Sequence, residues 1–245
     1  MVTEKYLPVM GYKVFCGKLS DIDYSRQILI NTFAPNQYGL ALKDKRFEIA
    51  LKNTDILVLD GVGVAFASIF LNGKNIRKIA GQDCFDYLMD QLNKKTGKCF
   101  FLGSSEQTLI KMKNRVAIDY PNITVGYYSP PFKPEFSEDD NIVMRKAIND
   151  FDPDLLFVGM TAPKQEKWAY ENKTFLNVPI ISTIGNVFDW YAGNSKRPGK
   201  IWIKLRLEWF VRIFLRPEIF KRNTGNQLTF LKDFILVFLR LKKIE

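Results

Sequence analysis

Residues 55–68 read DILVLDGVGVAFAS. Ile56 to Leu59 are four apolar residues in succession, with no polar residue alternating among them. Such a strand has no wet face, which is the mark of a sheet covered on both sides. It stops at Asp60-Gly61, and a helix can begin near Val62. A strand, a short turn and a helix make the first half of a parallel βαβ unit. The same pattern recurs outward from this stretch. QILINTF (27–33), KCFFLGS (98–104), ITVGYYS (123–129), DLLFVGM (154–160) and PIISTIGN (179–186) are further strand candidates. Helical spacing lies between them, in Tyr38, Leu40, Ala41, Leu42, Phe47, Ala50 and Leu51, in Phe85, Leu88, Met89 and Leu92, and in Leu109, Met112 and Val116. The alternation predicts an α/β fold: a mainly parallel, Rossmann-like sheet with helices on both faces.

The chain has 245 residues, 47% of them hydrophobic and 25% charged. That composition fits one compact domain, or one domain and an appendage, and excludes a disordered or collagen-like chain. It contains no histidine. A Ser-His-Asp hydrolase, a Cys-His protease and a His-ligated zinc site are therefore ruled out. A general base has to be Asp or Glu, or less readily Lys, Tyr or Cys. Cys16, Cys84 and Cys99 form no CxxC pair, so reduced thiols are expected. The N-terminal MVTEKYLPVMGYKVF lacks the continuous apolar core of a signal peptide.

Charge is concentrated at one end. Residues 196–245 carry 13 Lys+Arg and four acids, a net +9 of the chain's +10. The composition shifts at GNSKRPGK (193–200), so a boundary is expected near residue 195: an α/β catalytic domain over 1–195 and a basic amphipathic helical appendage over 196–245. Ile201, Trp202, Leu205, Trp209, Phe210, Ile213 and Phe214 make one apolar helical face there, and Leu228, Leu231, Ile235, Phe238 and Leu239 another. An apolar face beside polybasic charge suits an anionic membrane surface. The longest apolar run of the tail, Phe234–Leu239, is far short of the ~20 residues that span a bilayer.

Ligands of open α/β sheets bind beyond the carboxyl ends of the strands. Four candidate strands end in Asp60-Gly61, Gly103-Ser104-Ser105, Gly159 and then Thr161 to Glu166, and Gly185-Asn186. Together they suit a phosphate-bearing ligand. Asp60 has two readings: a base in a half-dry mouth, its pKa raised by desolvation, or the N-cap of the following helix. Asp21-Ile22-Asp23 and Asp152-Pro153-Asp154 have the DxD form of a metal–nucleotide site, but both read as turn or capping chemistry. Glu138-Asp139-Asp140 suits a helix start. No metal site emerges. There is no GxxxxGK[ST], and Gly61-Val62-Gly63 lacks the third glycine of a dinucleotide fingerprint.

INTFAP, LDGVGVAFAS, IAGQD, FFLGSS, VGYYSPPF, LFVGMTAPKQEKW, IGNVFDWYAG, KRPGKIW and LEWFVRIFLRPEIFKR occur in this order along nearly the whole chain. They resemble bacterial glycosyltransferase family 26, which includes N-acetylmannosaminyl and N-acetylmannosaminuronic acid transferases of teichoic acid and enterobacterial common antigen synthesis. The resemblance implies metal-independent, inverting transfer from a UDP-sugar donor to a polyprenyl-diphosphate-linked N-acetylglucosamine, with no cofactor. It implies a peripheral location on the cytoplasmic face of the plasma membrane. It also implies that Asp60 is the catalytic base and that Thr32, Lys78, Gln165, Glu166, Asp189, Arg212, Arg216 and Arg222 bind substrate. The strand-end reading adds Gly103 as a substrate contact, and Lys164 is a further cation for the departing diphosphate. Two positions depart from the family pattern. Ala34 replaces its Asn, and Lys78 stands where many members have Arg, keeping the charge but not the two-pronged fork. A homo-oligomer is compatible with this reading. The competing expectation is a non-catalytic nucleotide-sugar or nucleic-acid binder with a basic tail. The helical periodicity of the tail aromatics favours lipid over nucleic acid.

Overall fold

The computed structural model describes residues 5–195, 199, 202 and 217–243. The eight strands are β1 (Tyr6–Val9), β2 (Tyr12–Phe15), β3 (Ile28–Phe33), β4 (Ile56–Leu59), β5 (Lys98–Leu102), β6 (Thr124–Tyr128), β7 (Leu155–Val158) and β8 (Ile180–Thr183). They form one sheet in the order β1-β2-β4-β3-β8-β7-β5-β6. Every pairing is parallel except that of β1 with β2. The α/β expectation is met, and all six candidate strands form.

The helices are α1 (Pro35–Ala41), α2 (Lys45–Lys52), α3 (Val62–Asn72), α4 (Gly81–Lys94), α5 (Glu106–Asp119), α6 (Glu138–Phe151), α7 (Lys164–Asn172), α8 (Val187–Tyr191) and α9 (Pro217–Phe238). The continuous apolar strands are buried on both faces, as their composition requires. Ile56 and Val58 of β4 pack with α4, α5 and α8, while Leu57 and Leu59 pack with α1, α2, α3 and Phe230 of α9. Beyond β3 on this second face, Leu29, Leu156, Val158 and Ile181 meet Trp168 of α7 and Met144 of α6.

Three features go beyond the sequence reading. The N-terminal stretch is a β-hairpin, turned at Met10-Gly11 with φ of 52° and 80°, and it extends the sheet past β4. Its alternation is visible in YLPVMGYKVF, but Pro8 and the absence of an Asn-Gly turn obscure it. The apolar spacing from Tyr38 to Leu51 belongs to two helices, not one. Asp44 ends the break between them by accepting the Phe47 N–H. Along α9 and just past it, the apolar face read from sequence is not packed into the core: Leu228, Leu231, Ile235, Phe238 and Leu239 are all exposed, the first two at the cleft. What docks α9 is the other side, Asn226, Phe230 and Asp233, all buried. Apart from Trp202, which is exposed, the apolar face expected over 201–215 lies outside the described residues.

The acidic pairs are engaged in turns and caps. Asp21 accepts from Lys18 N, Asp23 from Ser25 N and Asp154 from Lys98 N, while Asp152 closes α6 in a left-handed conformation. Ser137 and Asp140 form a capping box at the start of α6.

Candidate active site

The carboxyl ends of β3 to β8 open into one cleft of about 2160 Å³. The sequence pointed to four of these strand ends, and two more contribute. At the end of β3, Thr32 and Ala34 to Gln37 line the cleft, and after β6 so does the Pro-rich segment Ser129–Pro134. That segment reads as a plain loop in the sequence; its position directly after a parallel strand is the signal that it borders a site. It is held in place by Ser129 Oγ, which donates to Ser104 O, and by Lys164 Nζ, which donates to Lys133 O. A further wall comes from α9 through Arg222, Asn223, Gln227, Phe230 and Phe234.

Asp60 lies in this cleft, on the turn between β4 and α3. Its backbone N–H donates to Phe33 O, extending the β3–β4 ladder by one bond and aiming the residue out of the sheet. The N-cap position of α3 is Gly61, not Asp60, so the capping reading of this carboxylate falls away. Ile79 N donates to Leu59 O, which brings the segment before α4 against the end of β4 and sets Lys78 opposite Asp60. Lys78 Nζ is 3.8 Å from Asp60 Oδ1, with the two side chains 22% and 35% exposed. The mouth is half-buried, and a cation faces the carboxylate there.

The other expected site residues divide by location. Thr32, Lys164, Gln165, Asp189 and Arg222 all line the cleft. Lys164 is already committed: besides Lys133 O, its ammonium sits 3.8 Å from the centre of the Phe136 ring, and burial pushes its pKa down. Gly103 and Glu166 do not line the cleft. Gly103 has φ +112°, and a Cβ there would come within 2.7 Å of Gly159 O, so this glycine serves the close approach of two strand ends. Glu166, in the first turn of α7, is 0% exposed. Arg212 and Arg216 lie outside the described residues. Ala34, at the N-cap of α1, offers no capping side chain; Pro35 follows at the first helical position.

Among the described residues, no three Cys, Asp or Glu side chains gather where they could hold a metal ion. No described helix is long and apolar enough to cross a membrane. An apolar surface nevertheless lies beside the cleft. Phe66, Ile69 and Phe70 of α3 are exposed next to the outward face of α9, and the Phe70 ring meets those of Phe66, Phe234 and Phe238 at 6.3, 6.1 and 5.7 Å. Contiguous exposed aromatics of this kind mark an interaction surface.

The arrangement can therefore offer a carboxylate beside an ammonium, with a guanidinium on the same cleft's α9 wall. The chain is similar to known proteins over most of its length. The profile of the Glycosyl transferase WecG/TagA/CpsF family matches residues 12–243. An N-acetylglucosaminyldiphosphoundecaprenol N-acetyl-beta-D-mannosaminyltransferase of Bacillus subtilis is 30% identical over 86% of this chain and 82% of its own length. Proteins of the same name from Bacillus spizizenii and Staphylococcus aureus are each 27% identical, over 82% and 78% of this chain and 76% and 73% of their own lengths.

Proposed function

This chain belongs to the Glycosyl transferase WecG/TagA/CpsF family and is a glycosyltransferase, and from that premise we propose which sugar it moves and how. The donor is a UDP-sugar of the N-acetylmannosamine type, and the acceptor is a polyprenyl-diphosphate-linked N-acetylglucosamine. Transfer is inverting and needs no metal. The observation that carries this reading is the Asp60–Lys78 pair in a cleft that Arg222 also lines.

Asp60 takes the proton from the acceptor hydroxyl as its oxygen attacks the anomeric carbon of the donor. The bond from that carbon to the diphosphate breaks, and UDP leaves with the electron pair. Charge grows on the leaving oxygen, and preorganised cations lower the barrier most when they sit where it grows. Lys78 and Arg222 are the cations suited to that task, with Arg212 and Arg216 of the appendage as further contributors. Residues 1–195 act as the catalytic domain and 196–245 as a membrane-binding appendage. The apolar surface of α3 and α9, with the +9 tail, supports a peripheral seat on an anionic membrane at its cytoplasmic face, where a lipid-linked acceptor lies.

The test is a panel of UDP-sugars offered with a polyprenyl-diphosphate N-acetylglucosamine analogue, scored for UDP release and product mass. Asp60→Asn should lower transfer by about 10²- to 10⁴-fold, the span of general-base contributions, while donor binding survives. Turnover undiminished in D60N would remove Asp60 as the base.

A further inference from the structure

Gln165 and Glu166 are neighbours with different roles. Gln165 lines the cleft, while Glu166 is wholly buried under it. The Gln165 carboxamide links them: Nε2 donates to Glu166 Oε1 at 2.9 Å, and Oε1 accepts from Met160 N at 3.2 Å. A backbone N–H can only donate, and an unprotonated carboxyl oxygen can only accept, so these partners decide which end of the carboxamide points which way. The same group lies against Gly185, where a Cβ would come 3.3 Å from Oε1 and 3.4 Å from Nε2. One side chain thereby joins the loop after β7 to the loop after β8, and both loops line the cleft.

Among the described residues, no cation pairs with Glu166, and its Oε2 is buried without a hydrogen-bond partner. Among the described residues, the charged groups on α7 and on the elements packed against it have other partners. On α6, Arg145 pairs with Glu138 and donates to Asn172 of α7, and Lys146 pairs with Asp150. Lys167 pairs with Asp44 at 2.8 Å, Arg46 with Glu171 at 3.0 Å, and Lys45 and Lys52 with Glu48. Lys173 pairs with Asp55, and Lys164 with the Lys133 carbonyl. The phenol of Tyr170 supplies no cation. Below α7, β3 and β8 carry no ionisable residue, and their buried Asn31 and Thr183 bond each other at 2.6 Å. An ionised carboxylate in such a place is uncompensated, which strongly favours the acid.

We propose that Glu166 is a positioning residue for the transfer reaction: held as a neutral acid, it orients the Gln165 carboxamide and through it keeps two cleft loops in register. The proposal rests on the reading of this cleft as the transfer site. Burial pushes the Glu166 carboxyl up to about 7, against the weaker pull of the Gln165 amide and a backbone hydrogen bond. The neutral form is then lost as pH rises through that value, and turnover falls with it.

The test uses the full chain, with transfer rates and urea unfolding both measured from pH 5 to 9 for wild type, Glu166→Gln and Glu166→Met. E166Q stays neutral at every pH, so it should restore the low-pH rate and remove the alkaline fall. E166M keeps the bulk but has no oxygen to accept from Gln165; kcat should drop about 10- to 100-fold, the scale of losing a supporting hydrogen bond behind a site, while donor KM changes little. The stability readout does not depend on turnover. A raised pKa means stabilisation that is complete below the ordinary value of 4.5 and lost as pH rises through about 7. Across that window the folding constant of wild type should fall relative to E166Q by about two to three powers of ten. Identical pH–rate profiles and parallel stability curves for wild type and E166Q would overturn the neutral-acid role. Full kcat in E166M would overturn the positioning role. If wild type transfers no sugar yet the stability curves diverge, the transfer reading fails and the buried acid stands.

Discussion

Replacing Gly39 with alanine tests how closely α9 sits on α1. An added Cβ would lie 2.4 Å from Asn226 Cβ, 2.5 Å from its Cα and 2.8 Å from its carbonyl oxygen. Carbon atoms pack best at about 3.5–4.0 Å, so the two helices must part by roughly 1 Å. Two of the three obstructing atoms belong to the backbone of α9, so no side-chain rotation relieves the clash. Separation also strains the polar contacts that flank the crossing. Asn226 accepts from Lys43 at 2.8 Å and donates to Asn36 at 3.0 Å, and Tyr38 donates to Asp233 at 2.7 Å. Overpacking of this kind costs about 1–3 kcal/mol, and each weakened hydrogen bond about 1 kcal/mol more. Alanine at a helical position returns only about 0.5–1 kcal/mol through propensity. The net is a loss of about 2–4 kcal/mol in the docking of α9, or roughly 30- to 1000-fold in its opening equilibrium. Hydrogen exchange followed by mass spectrometry reads this directly. Amides of α9 should lose protection by that factor, while β3, β7 and β8 keep theirs. Unchanged α9 protection, or a more stable protein, would mean that the propensity gain wins and the two helices do not cross as closely as the geometry requires.

The same interface should weaken in acid. Burial pushes the Asp233 carboxyl up, but hydrogen bonds from Lys242 and Tyr38 outweigh it and hold the pKa below the ordinary 3.8. A lowered carboxyl pKa stabilises above the ordinary value and loses that contribution as pH falls through the folded one. α9 exchange should therefore accelerate below about pH 4, and Asp233→Asn should abolish that pH dependence; an unchanged acid response in D233N would place its origin elsewhere. At the exposed aromatic surface, Phe70→Ser with Phe238→Ser removes two large apolar side chains, each worth about 1.5–3 kcal/mol when buried. Sedimentation with anionic vesicles should show binding weakened by at least tenfold, with D60-dependent chemistry on a water-soluble acceptor much less affected. Vesicle affinity equal to wild type would remove this surface from the membrane contact.

Much of the scaffold is legible from local pattern. Ile56–Leu59 and Leu155–Val158 could only be strands buried on both faces, because a continuous apolar run leaves no side for water. The helical spacing of Phe85, Leu88, Met89 and Leu92 likewise specifies α4, and all four side chains are buried. The hairpin of β1 and β2 leaves only a weak local signal, because it is short and turns on Met10-Gly11. The exposure of Leu228, Leu231, Ile235, Phe238 and Leu239 fits a face read as membrane-facing, but that Asn226, Phe230 and Asp233 would dock the helix could not be read. Periodicity identifies a face, but it does not say whether protein or something else covers it.

By itself, the sequence decided the class of fold, the absence of any histidine chemistry and the emergence of Asp60 from an apolar strand. Each is a property of neighbouring residues or of composition, and needs no knowledge of distant contacts. Only the tertiary structure set Lys78 at 3.8 Å from Asp60, turned Gln165 into the cleft while sealing Glu166 beneath it, and placed Asn226, Phe230 and Asp233 against α1. These depend on pairings such as Tyr38 with Asp233, 195 residues apart, which leave no periodic trace in either segment. Strand and helix follow from repeats of two and 3.6 residues; a site follows from which strand ends the sheet order brings together.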